Sequence, residues 1–102
     1  MAKRYHFTNR AVDDLSDIWE YTLEAWSERQ ADAYYNMLIG ACQKITENPQ
    51  LFGTRYEEIA EGLRGYRANK HIVFYRILPE GDVLVIRILH QRMDLKRRML
   101  GD

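Results

Sequence analysis

Two runs dense in β-branched and aromatic residues, His71 to Leu78 and Val83 to His90, flank Pro79-Glu80-Gly81-Asp82. They read as a hairpin closed by a four-residue turn. A turn of that length sets Leu78 opposite Val83, and side chains alternate faces from there. Val73, Tyr75 and Ile77 then share a face with Leu84, Ile86 and Ile88, apolar apart from one phenol. The opposite face carries Ile72, Phe74 and Arg76 beside Val85, Arg87 and Leu89, so two guanidinium groups stand on an otherwise apolar surface and need an anion or water. The preceding run, Leu63 to Lys70, adds Arg64, Arg67 and Lys70 and is expected to form a third strand ending in a turn near Asn69-Lys70. Gly65 weakens its alternation, which leaves its facing open.

A chain of 102 residues, 46% of them hydrophobic, suffices for one compact domain spanning 1–102 and is too short for two. No run approaches the roughly 18 apolar residues that span a bilayer, and the amino end MAKRYHFTNR lacks the apolar segment of a secretion signal, so a cytoplasmic protein is expected. The single cysteine, Cys42, has no partner for an internal disulfide, and no paired histidines lie at metal-ligand spacing. No metal or cofactor is expected. Cys42 falls in an apolar helical pattern, which marks a packed core thiol.

The net charge of zero conceals a division. Residues 1–63 carry 6 Lys and Arg against 11 Asp and Glu, giving −5, whereas residues 64–102 carry 9 against 4, giving +5. The basic part suits an anionic or acidic partner. Equally, the two halves neutralise each other across the fold.

Before the sheet, Lys3 to Thr8 alternates aromatic and polar residues and reads as a short strand, with His6 on its polar, surface side. Asn9 is positioned to cap a helix whose early Asp13 and Asp14 complement the helix dipole. Leu15, Ile18, Trp19, Thr22 and Trp26 recur at helical spacing as a buried stripe; Asp13, Asp17, Glu20 and Glu24 form an acidic, solvated one. Ser27 with Gln30 has the form of a capping box, so a second helix follows after a very short joint and lies antiparallel to the first. It buries Tyr34, Met37, Leu38, Ala41, Cys42 and Ile45 and stops before Pro49. The two tryptophans and the Tyr34-Tyr35 pair are assigned to packing.

Asn48 to Gly62 is a long connection with Leu51, Phe52, Tyr56 and Ile59 as anchors and a helical turn around Pro49-Gln50-Leu51-Phe52. At the carboxyl end Asp94 can cap a short helix, Leu95 to Leu100, presenting Lys96, Arg97 and Arg98. The expected fold is therefore α+β: an N-terminal strand, an antiparallel helical hairpin packed on a mainly antiparallel three-stranded C-terminal sheet, and a short C-terminal helix.

No glycine-rich phosphate loop or nucleophile elbow is present. The functional candidates are Arg64, Arg67, Arg76, Arg87, His90 and Arg92, on or at the end of one sheet. Cleaving RNA through its own 2′-hydroxyl needs a base, cations for the charged phosphorane and an acid for the leaving oxygen. His90 and Arg92 supply a base and a cation, but Asp94 reads as a helix cap and a second acid is missing. The competing use is binding, since arginines on an apolar face are typical of a protein-binding hot spot. Any single arginine also fits a surface salt bridge.

The order of elements resembles the RelE/ParE superfamily of toxin-antitoxin toxins, and its details look most like the ParE branch. The residues that carry the likeness are Asn48-Pro49 with Phe52-Gly53, Gly62-Leu63-Arg64, His71-Ile72-Val73-Phe74-Tyr75-Arg76, and Ile88-Leu89-His90-Gln91-Arg92-Met93-Asp94. The resemblance implies a cytoplasmic, growth-inhibiting toxin in a hetero-oligomer with a ParD-like antitoxin. It implies binding to DNA gyrase, contact with operator DNA only through the antitoxin, and no membrane role. RelE-type members instead cut messenger RNA in the ribosome; here that chemistry would fall to His90, Arg92 and Arg64. The nucleases carry an arginine where this chain has His71 and Ile72, and a tyrosine where it has Met93, Asp94 and Leu95. Only Arg92 matches, and each missing stabilising donor is worth ~10²- to 10³-fold in rate. The expected antitoxin mode is an amphipathic segment that folds on binding, its acidic residues meeting Arg76 and Arg87.

Overall fold

The computed structural model describes residues 4–101. In chain order these form β1 (Tyr5–Phe7), α1 (Asn9–Ala25), α2 (Glu28–Glu47), α3 (Pro49–Phe52), β2 (Thr54–Arg55), β3 (Arg64–Ala68), β4 (His71–Ile77), β5 (Val83–His90) and α4 (Leu95–Gly101). The strands make one five-stranded sheet in the order β1-β5-β4-β3-β2, antiparallel except for the β1–β5 pair. The fold is α+β, as expected. Two short strands extend the three-stranded sheet: β1, foreseen as far as Tyr5 to Phe7, and β2, unforeseen because it has only two residues. The expected start of the first strand at Lys3 lies outside the described residues.

The hairpin register differs near its turn. Leu78 N donates to Asp82 O at 2.8 Å, and Gly81 N to Leu78 O at 2.8 Å. The loop is thus three residues, Pro79-Glu80-Gly81, with Gly81 at φ +98°, a value that favours glycine. Ile77, not Leu78, faces Val83. A bulge then leaves Ile86 without an opposite residue, since Tyr75 pairs with Val85 and Phe74 with Arg87. From Phe74 to His71 the pairing is the one read from the sequence, ending with His71 opposite His90. The error is confined to the turn-proximal half: Val83 and Val85, not Leu84 and Ile86, join Val73, Tyr75 and Ile88 under the helices.

Helix α1 is capped by Thr8, not Asn9. The Thr8 hydroxyl accepts from Ala11 N at 3.1 Å and donates to Ile86 O at 2.7 Å, tying the start of the helix to β5. The cap of α2 is Ser27, whose hydroxyl accepts from Gln30 N at 3.1 Å. The buried stripe of α1 is shorter than its spacing suggests. Ala11 and Leu15 are buried, whereas Trp26 is 74% exposed and Trp19 donates its indole N–H to Asp32 on α2 at 3.0 Å. Opposite them α2 buries Leu38, Ala41, Cys42 and Ile45.

The sheet has two covered faces. On the helix side the core is built on Leu15, Leu38, Ile45, Val73, Tyr75 and Val85. On the other side Leu63, Ile72, Phe74 and Leu89 form a second core, packed by Tyr56, Ile59, Leu95 and Met99. Covering a Phe or Leu side chain is worth roughly 1.5–3 kcal/mol each, enough to seat the connection and α4 on that face. The face expected to stand open with its arginines is therefore largely interior.

Candidate partner-binding surface

Arg87, expected on the open face, is only 8% exposed. Its Nε and Nη2 donate to the two carboxylate oxygens of Asp14 at 2.8 and 3.0 Å, and Nη1 donates to Arg98 O at 3.0 Å. Asp14 also accepts from Ile88 N at 2.9 Å. This bidentate pair clamps α1, β5 and α4 together, which corrects Arg87 from a partner contact to an internal tie.

The other sequence candidates part company. Arg64 stands on the helix side, opposite Tyr75 on β4 and Arg55 on β2. Its Nη2 donates to Gln50 O at 2.5 Å and Gly53 O at 2.9 Å, gripping the carbonyl end of α3. A cavity of about 450 Å³ opens beside it, lined by Gln50, Arg55, Glu57 and Ile77. Arg76 points to the other side of the sheet and donates to Glu61 O. Arg67, opposite Ile72, is exposed and donates to Asn69 O at 3.1 Å. The single cationic sheet face inferred from alternation is replaced by cations on separate sides, because a face of the sheet that carries apolar residues attracts a cover.

His90 and Arg92 do come together, at a groove of about 800 Å³ between the α1–α2 joint and the far end of the β4–β5 hairpin. The floor is a histidine pair. His71 and His90 face each other across the strands with ring centroids 5.2 Å apart at 80°. The Tyr34 hydroxyl hydrogen-bonds His71 Nδ1 at 2.6 Å. Burial, then the neighbouring His90, push the His71 pKa down to about 4 against a smaller upward pull from Asp14, so this imidazole is neutral at pH 7. Burial raises the Tyr34 phenol. Arg92 N donates to His90 Nδ1 at 3.1 Å and Met93 N to His90 O at 3.0 Å, which folds the turn back over the strand end.

Around this floor the groove is two-sided. Ile18, Tyr21 and Trp26 make an apolar wall, and Met93 adds a thioether; Lys70 and Arg92 make a cationic rim. Tyr21 is 71% and Trp26 74% exposed, two large apolar side chains that the fold does not use. Sequence reasoning missed His71, Tyr34 and Tyr21 as site residues and assigned Trp26 to packing. A signal for His71 existed, since the hairpin pairing already placed it opposite His90. Among the described residues no group of three or more His, Cys, Asp or Glu is placed to hold a metal ion.

Comparison with known proteins agrees with this architecture. Residues 5–95 match the family model described as the ParE toxin of type II toxin-antitoxin system, parDE. The chain is similar to Toxin ParE1 of Mycobacterium tuberculosis, 37% identical over 99 residues that cover 97% of this chain and 100% of that protein. It is also similar to Toxin ParE1 of Caulobacter vibrioides, 35% identical over 97 residues, covering 95% and 98%. Among solved structures it resembles a chain of the chromosomal ParDE TA system from P. aeruginosa, with TM-score 0.76 at 14% identity, covering 87% of this chain and 96% of that one. A chain of the toxin-antitoxin complex RelBE2 from Mycobacterium tuberculosis matches with TM-score 0.63 at 21% identity, covering 89% and 100%.

Proposed function

We propose, from the premise that this chain belongs to the ParE toxin family of type II toxin-antitoxin systems, that it arrests growth by binding DNA gyrase in the cytoplasm and stalling it on DNA. A ParD-like antitoxin holds it inactive in a hetero-oligomer, and operator DNA is reached only through that antitoxin. The observation that carries the reading is the ParE match across residues 5–95. Arg67 and Arg92, the arginines among the sequence candidates that stand exposed, are the cations proposed to meet gyrase. Arg64 and Arg87 serve by holding α3 and α1 in place.

The geometry at the groove supports binding over bond cleavage. A base for a 2′-hydroxyl works best with a pKa near the operating pH, and His71 is far below it and tied to Tyr34. Of the positions where the nucleases resembled here carry their arginine and tyrosine, Ile72 is buried in the second core and Leu95 packs against it, while His71 and Met93 line the groove. One observation favours the alternative, a RelE-like ribosome-dependent messenger RNA endonuclease: the structure sets a second imidazole beside His90.

A single comparison separates the two. Purified toxin is expected to block supercoiling by gyrase and to leave ribosome-bound messenger RNA intact. Cut messenger RNA with unimpaired gyrase, and loss of cutting in His90→Ala, would overturn the proposal.

A further inference from the structure

We infer that the cavity of about 450 Å³ beside Arg64, at the β2 edge of the sheet, is a binding site for a phosphorylated sugar, in which Arg55 and Arg64 take the phosphate and Glu57 takes a hydroxyl. It shares no lining residue with the groove at the His71 end of β4 and does not depend on how the toxin acts. Strand pairing brings the two cations together. Arg55 on β2 is directly opposite Arg64 on β3, so both side chains leave the same face of the sheet. Like charges so placed destabilise a sheet, and among the described residues no carboxylate forms an ion pair with either. Arg64 is fixed by Nη2, which donates to Gln50 O and Gly53 O, while its Nε is buried with no hydrogen-bond partner. The exposed guanidinium of Arg55 has no partner among the described residues. An arginine held in position beside a second, unengaged one is suited to a phosphate, whose oxygens accept from both planar forks.

The rest of the lining narrows the ligand. Gly62 N donates to Glu57 Oε2 at 3.2 Å, which leaves Oε1 as an acceptor in a cavity that carries two cations and one anion. A second anionic group on the ligand would be repelled there, whereas a hydroxyl donates to it. Gln50 adds an amide that both donates and accepts. No aromatic ring is among the lining residues, so a nucleobase has nothing to stack on. The volume lies within the roughly 300–1,000 Å³ typical of small-molecule sites, more than a bare phosphate fills. Together these features select a phosphate monoester that carries hydroxyl groups, whether a free sugar phosphate or the ribose phosphate part of a nucleotide. Seated there, the ligand bridges β3, the connection around Glu57 and Gly62, and β2, which has only two residues of its own to hold it to the sheet.

The test titrates the full chain with ribose 5-phosphate, adenosine 5′-monophosphate and inorganic phosphate, read by calorimetry and by the amide NMR shifts of Gly53, Arg55 and Gly62. The two esters are expected to bind within about threefold of each other and at least about 10-fold tighter than inorganic phosphate. Substituting Arg64 would release α3 as well as the ligand, so Arg55→Gln is the decisive variant. It should lose at least about 10-fold in ester affinity with no fall in melting temperature. Glu57→Gln should bind inorganic phosphate more tightly and lose the preference for the ester. Arg29→Gln, exposed at the start of α2, should stay within about twofold of wild type. A smaller preference over inorganic phosphate leaves a simple ion site and overturns the inference. Ester affinity that survives Arg55→Gln, or that falls equally in Arg29→Gln, overturns it as well. A nucleotide bound more than about threefold tighter than ribose 5-phosphate moves recognition to the base, against the class named here. Unmoved amides at Gly53, Arg55 and Gly62 under millimolar ester show that the cavity holds no such ligand.

Discussion

The carboxylate of Asp14 closes on the guanidinium of Arg87 through two hydrogen bonds, 2.8 and 3.0 Å long, and receives the Ile88 amide as a third. Both side chains are nearly buried, at 12% and 10% exposure. Removing one partner strands the other charge away from water. Asp14→Ala should therefore cost about 3–5 kcal/mol in urea unfolding, while replacing both residues with apolar ones of similar volume should cost much less. The same logic makes Arg87→Glu a folding defect, visible as a lowered midpoint, before it is anything else.

Tyr75 crosses the helix-side core and donates its hydroxyl to Pro49 O at 2.5 Å, with Arg64 holding the neighbouring carbonyls. Tyr75→Phe keeps the packing and loses that bond, for an expected cost of about 1 kcal/mol. Gly53→Ala is predicted to be worse, about 1–3 kcal/mol, because its methyl group would collide with the Tyr75 phenol. Chemical unfolding of the two variants side by side checks the order.

His71 titrates near 4 when folded and near its ordinary 6.5 when unfolded. The unfolded chain thus binds the extra proton first, and stability falls as pH is lowered from about 6.5 toward 4. Above that window this residue contributes no slope. Melting temperatures across the window should decline less steeply for His71→Asn than for wild type.

Cys42 is fully buried, and burial pushes its thiol up to about 12. The reactive thiolate is therefore scarce and enclosed. Labelling by an aromatic disulfide reagent should be slow in the native protein and should accelerate in step with unfolding in urea.

Much of this molecule was legible in its residues. The helical hairpin followed from the Ser27 cap and the Pro49 stop; the second half of the β4–β5 register followed from a four-residue turn that the structure replaces with three residues and a bulge, two one-residue differences that cancel from Phe74 onward. What escaped was set by tertiary contact. Ile86 is bulged because the loop at Gly81 is one residue shorter than four, and nothing in the apolar run announces that. Thr8 outcompetes Asn9 as the cap because β5 offers it the Ile86 carbonyl. Trp26 obeys the helical spacing of Leu15 and Ile18, but α1 ends at Ala25 and the indole is left 74% exposed. Candidate arginines were found by type and strand position, which cannot reveal that Asp14 on a distant helix claims Arg87.

The parallel pairing of β1 with β5 joins positions 78 residues apart, as in the bond from Arg4 N to Asp82. During synthesis β1 has no sheet neighbour, and the cap of α1 no tether to the sheet, until β5 has been made. A nascent or prematurely terminated chain lacking Val83–His90 has neither the His90 half of its groove floor nor the Arg87 partner of Asp14. Docking of α1 on the sheet therefore waits for β5, so the helices made first are committed to their place only after a hairpin that follows them in the chain.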